Sequence, residues 1–158
     1  MDDIDRICAN LQHFTDDVAA HLEEQLLKEM KRIQSDAKRM APVKTGQLRN
    51  NITADVTRDA ATADIVGTVG TNAAHGIYNE LGTGPVGEAS PKMAPPGVTL
   101  KYKKTGWSYE DPKTGKRVWT MGMAARPFLY PALKQNEAQV KENIAKAIKR
   151  AQRRASRD

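Results

Sequence analysis

The chain has 158 residues, of which 39% are hydrophobic and only 5% aromatic. This composition predicts a single domain with a modest, aliphatic core. The single cysteine, Cys8, excludes an intrachain disulfide framework and a zinc site built on thiolates. No apolar run approaches the roughly 20 residues that cross a bilayer, and the acidic start is unlike a signal peptide. We therefore expect synthesis and function in a cytoplasm-like compartment.

Charge is unevenly distributed along the chain. The formal net charge is +6, but residues 1–24 have a balance of −6 and residues 134–158 a balance of +5. Such asymmetry is typical of nucleic-acid binding. It is equally typical of an assembly in which the acidic end of one subunit meets the basic end of the next. No other nucleic-acid motif is present, so we favour contact between subunits.

A long helix is predicted from Leu11 to Met40, because apolar residues recur there in steps of three and four. At about 1.5 Å per residue it would be roughly 45 Å long. The narrow apolar stripe predicts packing along one seam. Its members are Leu11, Phe14, Val18, Leu22, Leu26, Met30, Ile33, Ala37 and Met40.

The helix is expected to end at a rigid corner. Pro42 lacks a backbone N–H and disfavours helical geometry at Ala41. Gly46 can adopt a positive φ for the reversal, and an alternation of apolar and polar residues begins at Leu48. The corner has no catalytic set of side chains.

After the corner the pattern predicts an antiparallel sheet of three to four strands. Residues 48–58 and 64–70 alternate as the two strands of a hairpin, and residues 74–81 are either a third strand or a short helix. Together with long N- and C-terminal helices, these strands indicate an α+β fold.

Residues 82–97 are rich in proline and glycine and are predicted to be a loop. A small hairpin should follow within residues 100–121, in which Trp107 and Tyr109 face Val118 and Trp119. Because a compact domain does not need so long an insertion, we interpret residues 83–124 as a projecting arm that becomes ordered in an assembly.

The chain re-enters the domain at residues 125–132. Pro131 suits the first turn of a helix, whose apolar period continues to about Arg150, where fraying is expected. The whole chain, 1–158, is thus predicted to be one domain. Its parts are a long helix (11–40), a sheet (47–82), a projecting arm (83–124) and a C-terminal strand or helix (125–155).

The search for chemistry finds no catalytic, metal or cofactor site. Residues 82–87 resemble a phosphate loop, but no Lys-Ser/Thr follows, and Pro85 and Pro91 are expected to prevent the helix that would hold a phosphate. His13, Asp17 and His21 share one helix face but lack a fourth ligand, which favours a solvated face.

Glu80 is the most informative carboxylate. We expect it to pair with Arg49 or Arg126 at the base of the arm, since a glycosidase-like site would need a second acid. Trp107, Tyr109 and Trp119 lie among basic residues, as in single-strand binders. Aromatic pairs within a hairpin explain the same residues.

Three separated motifs carry a resemblance to a known family. They are APVKTGQLR at 41–49, YNELGT at 78–83 and ARPFLYPA at 125–132. Their order and spacing, between two long helices, are similar to the tail-completion and head–tail joining proteins of long-tailed bacteriophages, also called minor tail components. The resemblance extends from about Val18 to Ala147. The chain departs from it at Asn51, where serine is common, and in the length of the arm.

The resemblance implies a non-enzymatic virion protein that forms a ring in the neck or at the top of the tail, after assembly in the host cytoplasm. Implied partners are further copies, connector or head-completion proteins, and tail-tube or terminator proteins, with possible non-specific contact to phage DNA but none to membrane. The alternative is a nucleic-acid-binding protein that uses the basic C-terminal helix and the Trp hairpin. Residues expected to serve folding and assembly are Pro42, Thr45, Gly46, Leu48, Arg49, Tyr78, Glu80, Gly82, Arg126, Pro127 and Phe128.

Overall fold

The structure, a computed structural model, describes residues 3–59, 61–91 and 99–155, with side chains described between Thr15 and Arg153. Helices and strands alternate irregularly along the chain. In order they are α1 (Asp3–Met40), α2 (Gln47–Asn50), β1 (Ile52–Arg58), β2 (Ile65–Thr71), α3 (Gly76–Leu81), α4 (Gly84–Ala89), β3 (Trp107–Glu110), β4 (Arg117–Thr120) and α5 (Leu129–Ala155).

The α+β class and the two long helices are confirmed, but the sheet of three to four strands is wrong. The described residues form two separate two-stranded antiparallel sheets, β1–β2 and β3–β4. The segment after β2 is helix α3, because the N–H groups of Gly76 and Asn79 donate to nearby carbonyls of Ala73 and His75. Within the described ranges, β2 therefore pairs with β1 alone.

The helices α1 and α5 pack antiparallel, and polar contacts set their register. Nδ2 of Asn136 donates to Asp36 at 2.7 Å, and Nδ2 of Asn143 donates to Glu29 at 2.6 Å. Both pairs are spaced seven residues along their helices, in opposite directions. The acidic end of α1 and the basic end of α5 thus point to the same end of the helix pair. The opposite charges are therefore brought to one end of the same helix pair, while contact between subunits stays a prediction.

The β1–β2 sheet packs against α1 at close range. A Cβ on Gly67 would lie 2.8 Å from the Met30 side chain, so glycine permits the close approach. Nε2 of Gln34 donates to the carbonyl of Ile52 at 2.7 Å, and Ile52 is fully buried. The core cluster comprises Met30, Ile33, Ala37, Ala41, Leu48, Ile52, Phe128 and Ala132.

The corner forms, but the strand after it begins later than predicted. Gly46 has φ 78°, and the N–H of Asn50 donates to the Gly46 carbonyl at 2.9 Å, which closes a helical turn. Leu48 therefore lies in α2, with its side chain in the core, and the strand starts at Ile52.

Two further predictions need correction. Residues 84–89 are helical, and Pro85 occupies the first turn, where its missing N–H has no partner to lose. The expectation that Pro85 would prevent a helix was therefore wrong. The C-terminal helix also continues past Arg150 to Ala155.

The predicted hairpin is confirmed as β3–β4, but one of its pairings differs. Trp107 pairs with Thr120 and Tyr109 with Val118, whereas Trp119 pairs with Ser108. Because neighbouring residues of a strand point to opposite faces, Trp119 lies on the face opposite Trp107 and Tyr109.

Candidate functional site

The structure brings the three sequence motifs together, two of them in the core and the remaining one through hydrogen bonds to the start of α5. The first motif contributes Ala41 and Leu48, and the third contributes Phe128 and Ala132, all buried in the same cluster. Phe128 is among the largest fully buried side chains of the described residues. The second motif contributes Glu80 of α3, which is 8% exposed and whose carboxylate lies at the start of α5. We call the contacts of these motifs the junction.

Glu80 holds the N-terminus of α5. One carboxylate oxygen accepts the backbone N–H groups of Phe128 at 2.7 Å and Leu129 at 3.0 Å, and the other accepts that of Tyr130 at 2.9 Å. The first N–H groups of a helix have no partner within the helix, and its N-terminus carries a partial positive charge. A carboxylate from α3 therefore satisfies two donors of α5 and the N–H of the preceding residue, and complements the helix dipole.

The expected ion pair of Glu80 with an arginine is wrong. Arg49 and Arg126 have exposed side chains, and Glu80 forms no ion pair with an arginine among the residues described. Arg126 instead contributes its backbone N–H, which donates to the carbonyl of Asn79 at 2.6 Å. Because the helix N-terminus already supplies three donors, the buried carboxylate has no need of a cationic side chain.

The glycines of the second motif permit close packing of two backbone segments. Gly82 has φ 73° and ψ 177°, a region that essentially only glycine adopts. A Cβ there would lie 2.7 Å from Cα of Gly87 and 2.8 Å from the carbonyl oxygen of Met123. Thr83 donates its N–H to Met123 at 2.9 Å, which ties the two ends of residues 83–124 together. These contacts account for the glycine spacing without a phosphate.

The remaining predicted residues lie around the corner and the base of α5. Pro42 and Pro127 are partly buried, and the Thr45 hydroxyl accepts the N–H of Gln47 at a long 3.4 Å. Tyr78 is 53% exposed. These positions are compatible with the folding or assembly roles predicted for them.

A groove that sequence reasoning missed opens beside the junction. It has a volume of about 570 Å³ and lies between β2, α3 and α5. Ile77 and Leu133 line it and are 60% and 45% exposed. Leu81 and Leu129 line it too, and each lies four residues from Ile77 or Leu133 on the same helix. This spacing, which puts two apolar side chains on one helix face, is the sequence signal that could have predicted the groove. Such a surface is large enough to receive an apolar side chain.

The arm has its own exposed apolar surface. Trp119 is 66% exposed and Tyr109 47%. Trp107 instead lines a second cavity of about 710 Å³ between α3 and the arm, with the ammonium of Lys103 5.2 Å from the ring centroid. The two tryptophans therefore have different environments, one turned towards the body and the other towards solvent.

Metal and membrane features were searched over the described ranges. There, no group of three or more His, Cys, Asp and Glu side chains could hold a metal ion. The same ranges contain no helix with the length and apolar content needed to span a bilayer. The His13 side chain, part of the predicted helix face, lies outside the described side chains.

Comparison with known proteins adds one match. Residues 5–82 match the family model described as "Bacteriophage HK97-gp10, putative tail-component". Over this stretch, just under half of its length, the chain is similar to the HK97-gp10-like family. The match covers α1, the corner, β1–β2 and α3, and it confirms the resemblance to phage tail proteins. No match was found among curated proteins or solved structures. The match indicates a structural role as a phage tail component.

Proposed function

We propose that this chain is a non-enzymatic tail-completion protein that joins the head connector to the tail in the neck of the virion. The match of residues 5–82 to a phage tail-component family supports the tail assignment. The joining role itself is supported by one observation: the chain has both a tightly hydrogen-bonded junction and an arm whose apolar side chains are exposed. A joining protein needs both a rigid body and surfaces that are completed only by its neighbours.

In this role the junction fixes the position from which the arm leaves the body. Glu80 and the contact of Thr83 with Met123 hold the arm's two ends, so the hairpin can be presented in one direction. Copies would associate by unlike surfaces into a closed ring. The ring would contact connector or head-completion proteins on one side and tail-tube or terminator proteins on the other, with basic side chains touching DNA phosphates in the channel.

The test uses the phage that encodes the chain. A nonsense mutation in the gene is expected to yield filled heads and separate tails, and expression of the wild-type chain should restore joined particles. Electron microscopy counts the joined fraction, and labelling with an antibody should locate the chain at the neck. Normal joining without the chain, or purified particles that lack it, would overturn the proposal.

A nucleic-acid-binding role is a second candidate, favoured by the exposed basic residues of α5 and by Trp119. Lys149, Arg150 and Arg153 are exposed near the end of the helix, and Arg117 is exposed two residues from Trp119. This role predicts a DNA affinity that falls steeply with salt. Light scattering at two salt concentrations, with and without DNA, separates a ring that is indifferent to DNA from a monomer or dimer that binds it.

A further inference from the structure

The groove beside the junction has a strand edge as one wall. Gly67, Thr68 and Val69 all line it. Consecutive side chains of a strand point to opposite faces, so three neighbours share a groove only where the strand's edge forms its wall. Because β2 pairs only with β1 in the described ranges, this edge is open. An open edge beside an apolar groove is a surface on which another strand can dock.

The β3–β4 hairpin carries an exposed apolar side chain of the kind that the groove can bind. Its most exposed large apolar side chain is Trp119, which lies on the face opposite Trp107. Since Trp107 lines the cavity beside α3, Trp119 points away from the body of its own chain. It therefore suits a groove on another molecule. Tryptophan is among the residues that most often dominate the binding energy of protein interfaces.

Charge favours a second copy of this chain as the partner. The described residues 99–120 carry six basic and two acidic side chains, a net charge of +4. The groove's β2 wall leads to a turn that contains Asp59 and Asp64. The cation nearest that turn in sequence, Arg58, is already bound by Asp16 at 3.3 Å and Glu23 at 3.9 Å. The basic hairpin thus matches the acidic end of the groove, and complementary potentials favour this orientation.

We propose that the groove of one copy binds the β3–β4 hairpin of a second copy, with Trp119 entering between Ile77 and Leu133. This inference rests on the proposed function, because it takes the next subunit of the assembly as the partner. Groove and hairpin are different surfaces, so each bound copy still offers one of each. Such a contact is heterologous, and it builds a ring when the rotation from one copy to the next closes.

The experiment compares the self-association of purified full-length variants by analytical ultracentrifugation up to millimolar concentration. Trp119→Ser should weaken association at least about 30-fold, as expected for a central interface tryptophan. Its matched control is Tyr109→Ser, on the other face of the hairpin. Leu133→Glu should weaken association similarly, whereas Ile148→Glu, which is 41% exposed on the same helix, should not. Urea unfolding checks each fold, and Ile77→Glu replaces Leu133→Glu if the latter fails to fold.

Mixing the two defective variants gives the sharpest result. The Trp119→Ser copy keeps an intact groove and the Leu133→Glu copy keeps an intact hairpin. The mixture should therefore form a one-to-one heterodimer and stop there, because the other two surfaces are both broken. Failure to form this heterodimer overturns the proposal, as does a wild-type chain that stays monomeric at millimolar concentration.

Two other outcomes also overturn it. One is unchanged self-association of Trp119→Ser. The other is loss of DNA affinity in Trp119→Ser without any effect on self-association, which would assign the hairpin to nucleic acid. Failure here is distinguishable from failure of the proposed function. If Trp119→Ser phage still join heads to tails, the docking fails and the joining role stands; if particles lack the chain, the joining role fails regardless of self-association.

Discussion

The junction around Glu80 and the β3–β4 hairpin are organised in opposite ways. At the junction, polar groups find partners within the chain: Glu80 accepts three N–H groups, and the Ser90 hydroxyl accepts the N–H of Ala125 at 2.9 Å while donating to the Gly87 carbonyl at 2.9 Å. Phe128 is fully buried there. In the hairpin, the two strands pair with each other, and the Trp119 side chain is mostly in solvent.

The difference indicates where each region obtains its stability. A two-stranded hairpin alone is marginally stable in water, so its order depends on its anchored ends and on its turn. The junction supplies those anchored ends through contacts such as Thr83 with Met123. Substitutions at the junction should therefore change the free energy of unfolding, whereas substitutions at the exposed hairpin surface should change association.

The largest contrast is expected between Phe128→Ala and Trp119→Ala. Removing the fully buried phenyl ring leaves a cavity and should lower the free energy of unfolding by about 3–5 kcal/mol. Removing the exposed indole should change it by no more than about 0.5 kcal/mol. Urea unfolding at low protein concentration measures both. Similar losses for the two variants would mean that the hairpin belongs to the core.

Two glycines with positive φ give the next contrast. Gly82→Ala should cost about 2–4 kcal/mol, because it combines a strained backbone with a collision against Gly87. Gly115→Ala, at φ 64° in the hairpin turn, has no atom within 4 Å of the added Cβ and should cost about 1–2 kcal/mol. Thermal unfolding of both variants tests this order, and equal midpoints would show that packing at Gly82 is unimportant.

A smaller loss is expected for Glu80→Gln. The amide keeps one acceptor oxygen but turns an NH₂ group towards backbone donors, which should cost about 2 kcal/mol. The control is Glu110→Gln in the hairpin, which is exposed and should change stability by no more than about 0.5 kcal/mol. Hydrogen exchange locates the effect: the N–H groups of Leu129 and Tyr130 should exchange faster in Glu80→Gln alone. Unchanged exchange at these two groups would contradict the holding role of Glu80.

Much of the fold could be predicted from local patterns. The apolar period of three and four residues identified α1 and α5, the alternation identified β1 and β2, and Pro42 with Gly46 identified the corner. These features depend on residues close in sequence. The number of strands per sheet depends instead on residues far apart in sequence. The segment at 74–81, which the sequence left open as strand or helix, is a helix held by its own short-range hydrogen bonds.

The partner of Glu80 could not be predicted for a related reason. Its three donors are backbone N–H groups 48 to 50 residues away, and every non-proline residue has such a group. Arginine side chains can be identified directly from the sequence, so Arg49 and Arg126 were predicted as the partners of Glu80. The face occupied by Trp119 was missed because a shift of one residue in register moves a side chain to the other face.

The smallest expected effect concerns the hairpin turn and its response to acid. The Asp111 carboxylate accepts the N–H of Lys113 and the hydroxyl of Thr114, each at 3.0 Å. The Lys113 hydrogen bond, followed by that of Thr114, lowers the pKa of Asp111 below its ordinary value of 3.8. Because the pKa of Asp111 is lower in the folded than in the unfolded state, the carboxylate stabilises the turn fully at pH values above its unfolded-state pKa. This stabilisation is lost as the pH falls through the folded-state pKa.

The hairpin should therefore loosen below about pH 4, which shifts the Trp119 indole N–H resonance in an NMR titration from pH 6 to pH 2. Asp111→Asn removes the titrating group, so its hairpin should already be looser at pH 6 and should lose this acid-dependent step. Glu110→Gln, next to it in sequence, should keep the step. The same step in Asp111→Asn would mean that another group controls the turn. Loss of the acid-dependent step in Asp111→Asn would show that the Asp111 turn stabilises the hairpin independently of the contacts at the junction.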